Sequence, residues 1–327
     1  MNKITGASLQ ISLLLLLVAC NTAPTSMQTP ATEPSSSQSS NPEPFSTEVQ
    51  IPTEPIITPL PTSITVPNSV AETEAIVKEF LVAWDAHDPD KLSSFYAEDV
   101  MSFDATAGSE SFNKGTIDGV LHSSYVNGAF DVKLNSFFVS DDGRFAASIG
   151  IFSEKDDSGK LISKPYVSLL EIKGDKIIWV YDYYGGCLSE SLLLQTIPAT
   201  ANQPAASNLV DEIKSMIERW EAAYNTRDSQ TYLAFYSDQA EYTDIIAPEW
   251  RVLTKKALEQ ETTLKFSSEK FKSELDTFFV SANGHFVAIQ GTYKDQKTVK
   301  IPMVIILEIE NNRIIKQNNY LVYVEVF

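Results

Sequence analysis

From about residue 68 onward, apolar residues recur every three to four positions, and Ile76, Val77, Phe80, Leu81 and Trp84 form one stripe of a predicted helix. A second stripe, Leu209, Ile213, Met216, Ile217, Trp220 and Tyr224, predicts another amphipathic helix late in the chain. A short helix follows each. Asp88 can cap the first with Pro89 at its first helical position, and Asp228 or Ser229 serves the second. Phe95-Tyr96 and Phe235-Tyr236 then fall at matching places, 140 positions apart.

The rest of each half reads as strands. "FDVKLNSFFVS", "RFAASIGIFSE", "LISKPYVSLLEIK" and "KIIWVYDYYG" are separated by turn clusters at Asp141-Asp142-Gly143, Asp156-Asp157-Ser158-Gly159 and Gly174-Asp175. Asn283-Gly284 and Asn311-Asn312 punctuate the same series in the later half. The phrase "FFVSDDGRFAASIG" at Phe137 returns as "FFVSANGHFVAIQG" at Phe278, so a whole domain is repeated. Helices followed by a meander of antiparallel strands predict an α+β fold in tandem, each curved sheet wrapping its first helix. The expected domains span 68–190 and 207–327, joined by a linker over 191–206.

Length and composition agree with two domains, since 327 residues with 43% hydrophobic side chains suffice for two cores. Residues 1–20 have a different character. Lys3, an apolar run from Leu13 to Val18 and the segment Leu17-Val18-Ala19-Cys20 resemble a bacterial lipoprotein signal peptide, whose cysteine is acylated after cleavage. Acyl chains, at about 0.8 kcal/mol per buried methylene, would attach the protein to a membrane outside the cytoplasm. Residues 21–67 are rich in Pro, Ser and Thr, which predicts a disordered tether reaching about 35–40 Å. Lipidation consumes one of the two cysteines, so Cys187 is left without an intramolecular disulfide partner. A net charge of −18 without a basic run argues against nucleic acid as a partner.

"FLVAWDAHDPDKLSSFYAEDVMSFD" and "LLEIKGDKIIWVYDYYG", with "MIERWEAAYNTRDSQTYLAFYSDQAEYTD" and "IILEIENNRIIKQNNY" in the later half, resemble the nuclear transport factor 2-like superfamily. Within it the chain is similar to the SnoaL-like domains related to polyketide cyclases and ketosteroid isomerases. The resemblance implies a cone, in which a curved sheet wraps a long helix and leaves a pocket open at one end. It also implies either acid-base isomerisation, cyclisation or dehydration, or binding without chemistry, because fold alone does not select the reaction.

Asp104 falls where the resemblance places a proton-shuttling carboxylate, and it also suits the start of a turn before "ATAG". A two-residue period puts Asp182 on one face with Ile178, Val180 and Tyr184, either inside the cone as a second acid or orienter or at a solvated strand end. The later half has Asp244 at the first place but Asn319 at the second, which excludes a paired-carboxylate mechanism there. Trp84, Tyr96, Phe103, Tyr184, Tyr224, Tyr236, Asp244 and Asn319 are the candidate contacts for a small apolar ligand, several doubling as core. The histidines His87, His122 and His285 share no ligand spacing, so neither a metal nor a cofactor is expected. A competing expectation is a non-catalytic module whose sheets meet within the chain as a pseudo-dimer, an external protein partner being unspecified.

Overall fold

The computed structural model describes residues 68–105, 110–128, 130–155, 159–184, 197–205, 207–246, 249–268, 272–294 and 300–321. The leader, the tether, Cys20, Cys187 and the turn at 156–158 lie outside them. Unit 1 opens with α1 (Val70–Asp85), whose start is fixed by a capping box: Glu72 N donates to the Ser69 side chain, and Ser69 N donates to the Glu72 carboxylate at 2.8 Å. The helix buries Val77, Phe80, Ala83 and Trp84, with Ile76 and Leu81 packed partly buried beside them. In α2 (Pro89–Phe95), Lys91 N donates to Asp88 Oδ1 at 2.9 Å, the cap read from the sequence.

The remaining elements of unit 1 are β1 (Tyr96–Asp104), β2 (Glu110–Phe112), α3 (Lys114–Asn127), β3 (Phe130–Val139), β4 (Phe145–Lys155), β5 (Leu161–Lys173) and β6 (Lys176–Tyr184). Unit 2 repeats the series: α4 (Ser207–Thr226), α5 (Ser229–Ala234), β7 (Tyr236–Ile246), β8 (Glu249–Thr254), α6 (Lys255–Ser268), β9 (Lys272–Val280), β10 (Phe286–Lys294), β11 (Lys300–Glu310) and β12 (Arg313–Leu321). The sheets have matching orders, β2-β1-β6-β5-β4-β3 and β8-β7-β12-β11-β10-β9. Each is antiparallel except for one pair, β1 with β6 and β7 with β12, which runs parallel. A parallel pair needs a long connection, and the third helix with the intervening strands supplies it. The apolar pattern does not predict α3 or α6, because neither segregates its apolar residues strongly to one side.

Both sheets bend at equivalent places. The register slips between Leu134 and Ser136 in one unit and between Gln290 and Gly291 in the other, and again where β5 meets β6 and β11 meets β12. Such bulges increase local twist and let a sheet curl. At the first of them a Cβ on Gly150 would stand 2.2 Å from the carbonyl oxygen of Lys133, and one on Gly291 2.4 Å from that of Glu274. Only glycine fits that approach.

The concave faces hold the helices, and the convex faces meet each other. Phe138, Phe145, Ile149, Leu169 and Tyr183 of unit 1 pack with Phe279, Phe286, Val304, Ile306 and Tyr320 of unit 2, and Ile197 and Ala201 of the connecting segment join them. Phe145 stacks on Phe279 with ring centroids 5.3 Å apart, and Phe138 on Phe286 at 5.9 Å. The two turns of the repeated phrase touch through an antiparallel bridge between Ser140 and Ser281. Asp141 N donates to Val280 O and Ala282 N to Val139 O, each at 3.0 Å. These bonds are equivalent under exchange of the units, the isologous pattern of a two-fold dimer inside one chain.

Candidate functional site

Asp104 ends β1 and Asp182 lies near the end of β6, and the parallel register makes them direct neighbours across the two strands. Their partners alternate by face. Met101 and Phe103 lie with Trp179 and Tyr181 on the convex side, whereas Val180 and Tyr184 belong to the concave core. The carboxylates therefore share the interior of the cone. Ile178 does not keep the two-residue alternation expected of it, because the register slip between Glu171 and Ile172 brings Ile177 into the interior instead.

Each acid has a tyrosine. Tyr166 Oη donates to Asp182 Oδ1 at 2.6 Å, and Tyr184 Oη donates to Asp104 Oδ2. The Asp182 carboxyl is largely enclosed by protein, and the residue keeps partial contact with solvent. Burial pushes its pKa up to about 6; hydrogen bonds from Tyr166 and Ser168 oppose the rise, and the charge of Asp104 adds to it. Burial likewise holds the Tyr166 hydroxyl well above the usual phenol range, with the Asp182 charge reinforcing the effect. Tyr166 stays protonated and serves as a donor.

An aromatic wall continues from these acids. Phe152 stacks on Tyr184 with centroids 4.7 Å apart, Phe130 lies 5.3 Å from Phe152, and Tyr125 and Trp84 lie 6.1 and 6.5 Å from Phe130. Tyr96 is buried in the same core. Phe103 is a correction to the expected contacts: it sits one position from Asp104 on the strand, so alternation turns it to the convex side beside Trp179. Sequence reasoning missed Tyr166, Tyr125 and the buried ion pair of Lys164 with Glu154. Lys164, Tyr166 and Ser168 occupy every second position of an otherwise apolar strand, and that period was the available signal.

Unit 2 holds a different interior. Asn319 pairs with Asp244 in the same register, and its Nδ2 donates to Asp244 Oδ1 at 2.8 Å and to Tyr242 Oη at 2.5 Å. Gln317 Nε2 donates to Asn319 Oδ1 at 2.7 Å, Tyr236 Oη donates to Gln317 Oε1 at 2.6 Å, and Trp220 Nε1 donates to Tyr236 Oη at 3.1 Å. Arg251 closes the chain, reaching Asp244 at 3.2 Å and Glu261 at 3.0 Å. Tyr224 packs against Tyr232 and Phe266. The candidate contacts Tyr224, Tyr236, Asp244 and Asn319 thus pack or bond to one another. Where unit 1 has Tyr166 and Tyr184, strand alignment puts Met303 and Leu321.

Among the described residues no group of three potential ligands could hold a metal ion. His87 contacts Asp131 at 3.0 Å and His122 Asp90 at 3.4 Å, both near the surface. An open groove of about 980 Å³ lies outside unit 2, lined by Asp211, Glu212, Arg219, Phe235, Asn312 and Arg313 among others, and it touches neither carboxylate of unit 1.

No family model and no curated protein matches the chain. Solved structures do. The chain is similar to a hypothetical protein with a ketosteroid isomerase-like fold from Catenulispora acidiphila, in complex with trimethylamine, at 18% identity over 33% of this chain and 84% of that one, with a TM-score of 0.29. It is similar to a putative polyketide cyclase from Xanthomonas campestris at 18% identity over 36% and 93% of the two chains, with a TM-score of 0.32. A nuclear transport factor 2-like protein of unknown function from Mesorhizobium loti matches at 12% identity over 36% and 95%, again with a TM-score of 0.32.

Proposed function

We propose that unit 1 binds a small, largely apolar molecule in the open end of its cone and that Asp182 exchanges a proton with it, in isomerase-, cyclase- or dehydratase-like chemistry. Asp104 acts beside it as the second acid or orienter. The observation that carries this reading is the pairing of the Asp182 and Asp104 carboxyls on the concave side, beside stacked aromatic rings, with burial raising the Asp182 pKa to about 6. The sequence alone favours Asp104 as the shuttle, and burial favours Asp182. Unit 2 is the structural partner that covers the convex face of unit 1, which makes it the non-catalytic half of a pseudo-dimer. A continuous chain of mutual hydrogen bonds runs through its interior from Trp220 to Asp244, which supports that division.

The whole is an exported lipoprotein in this proposal, with acylated Cys20 as the anchor and residues 21–67 as the tether. No described helix is long and apolar enough to cross a membrane.

Carbon-detected NMR titration of the aspartate carboxyls tests the core of the reading. One interior carboxyl, absent from the Asp182→Asn variant, is expected to titrate near pH 6 and to shift when small apolar compounds bind. Titration of that carboxyl in the ordinary aspartate range would remove the proposal.

A further inference from the structure

The groove outside unit 2 lies between α4, the end of α5 and the turn that joins β11 to β12. Its volume of about 980 Å³ is that of a small-molecule site. Met216 and Phe235 give it an apolar lining, and Asp211, Arg219 and Arg313 bring charges to it. Among the described residues none of these three charges forms an ion pair, and Arg219 turns its Nε along its own helix, to Ser215 O at 3.2 Å. Glu212, a fourth charge in the lining, is already engaged, by Asn208 at 3.3 Å and Asn312 at 3.4 Å.

Unit 1 closes the same place with bonds. The short helices correspond, because Asp88 and Asp228 cap them alike, and the last strands correspond, because Lys176 faces Lys173 as Arg313 faces Glu310. In unit 1, Lys176 Nζ donates to Ser94 O at 2.7 Å, Lys91 pairs with Glu79 at 3.6 Å, and Asn68 exchanges bonds of 2.7 and 3.1 Å with Gly174. At the same distances from the caps, unit 2 has Arg219 for Glu79, Thr231 for Lys91 and Ala234 for Ser94. An acid in one unit is thus a base in the other, and its lysine partner is a hydroxyl. The ion pair that ties helix to helix is gone from unit 2, and two guanidiniums line one groove instead.

We infer that this groove binds a small zwitterion of short-peptide size, its carboxylate held by Arg219 and Arg313 and its ammonium by Asp211. Guanidinium suits a carboxylate because its N–H groups match the two oxygens. Asp211 and Arg219 stand two turns apart on α4, about 12 Å along the axis, and an extended tripeptide sets its charged ends about 10 Å apart. A simple anion is disfavoured by the net charge of −18, and a simple cation by the two guanidiniums. The site is separate from the carboxylates of unit 1, and it does not rest on the chemistry proposed for them.

The test titrates trialanine, its N-acetyl form and its C-terminal amide into the full chain. Two signals are followed, the Asp182 carboxyl and the Met216 methyl, the latter assigned by its loss in Met216→Leu. Trialanine is expected to move the Met216 signal saturably and to leave Asp182 unmoved, and each blocked peptide should bind about threefold to fivefold more weakly. Arg219→Gln and Arg313→Gln should each weaken trialanine by about threefold without altering the affinity of the amide, and Asp211→Asn should act likewise while sparing the N-acetyl form. All three side chains are exposed, so melting should be unchanged. The comparison of the three peptides needs no variant, and it decides the matter if a variant fails to fold. Equal binding of all three forms, or an N-acetyl form as tight as trialanine, would overturn the inference. So would a peptide that moves Asp182 and not Met216, or the lack of any saturable shift.

Discussion

Asp182 and Asn319 occupy one position in two copies of the same sheet, and a single atom type separates a titratable carboxyl from a structural amide. Because the folded pKa of Asp182 is raised, the folded state holds its proton more tightly than the unfolded chain does. The associated stability is fully present below about pH 4 and is lost as pH rises through about 6. Asp182→Asn should therefore stabilise the protein by about 1–3 kcal/mol at pH 7 and by little at pH 4, as read by denaturant unfolding at both values. Asn319→Asp should do the opposite. It replaces the donor to Asp244 and Tyr242 with a second buried carboxylate, and a loss of about 2–4 kcal/mol at pH 7 is expected. Equal melting of the Asn319→Asp and parent proteins would show that the network in unit 2 is not holding that interior. Asp182 was legible in the sequence because alternation along β6 placed it among apolar neighbours, whereas Asp104 was named from the resemblance. Their tyrosine partners were not legible, since which strand lies beside β6, and in what register, is decided by pairing rather than by local pattern.

The elements divide in the same way. The first helices and the four long strands of unit 1 follow from periods of 3.6 and 2 that burial enforces, so their positions were readable. The third helices are not amphipathic enough to be read, and they depend on packing against the first strand and the short second helix. The parallel β1–β6 pair was also hidden, because a strand's period carries no information on the direction of its neighbour. Curvature has a residue-level cause that can be tested. Gly150→Ala would force a Cβ into the Lys133 carbonyl, and a loss of about 2–4 kcal/mol is expected from strain of this kind. Thermal melting checks it, with Gly119→Ala as a control for the substitution alone, because a Cβ there meets nothing and its backbone is not left-handed. A Gly150→Ala protein no less stable than the control would mean that the bulge is not needed for the bend.

On the scale of the molecule, the convex sheets are the larger of the constraints on sequence, since they turn what would be two exposed apolar surfaces into one interior. Phe138→Ala should cost about 3–5 kcal/mol, and Phe279→Ala a similar amount, because the rings of the two units stack on one another. If the contact couples the halves, calorimetry of either variant should split a single transition into two, whereas a lone transition at lower temperature would mean that the halves were never separately stable. The proposed lipid anchor has its own check: Cys20→Ala should release the protein from the membrane fraction without changing its melting.

The bridge between Ser140 and Ser281 has a last consequence, for inheritance rather than for energy. A dimer of identical chains must bear every mutation twice, so a change that fills one pocket fills both. Here the two halves of the symmetric contact are written separately. One half can carry an asparagine where the other carries an aspartate, while both keep their shared face.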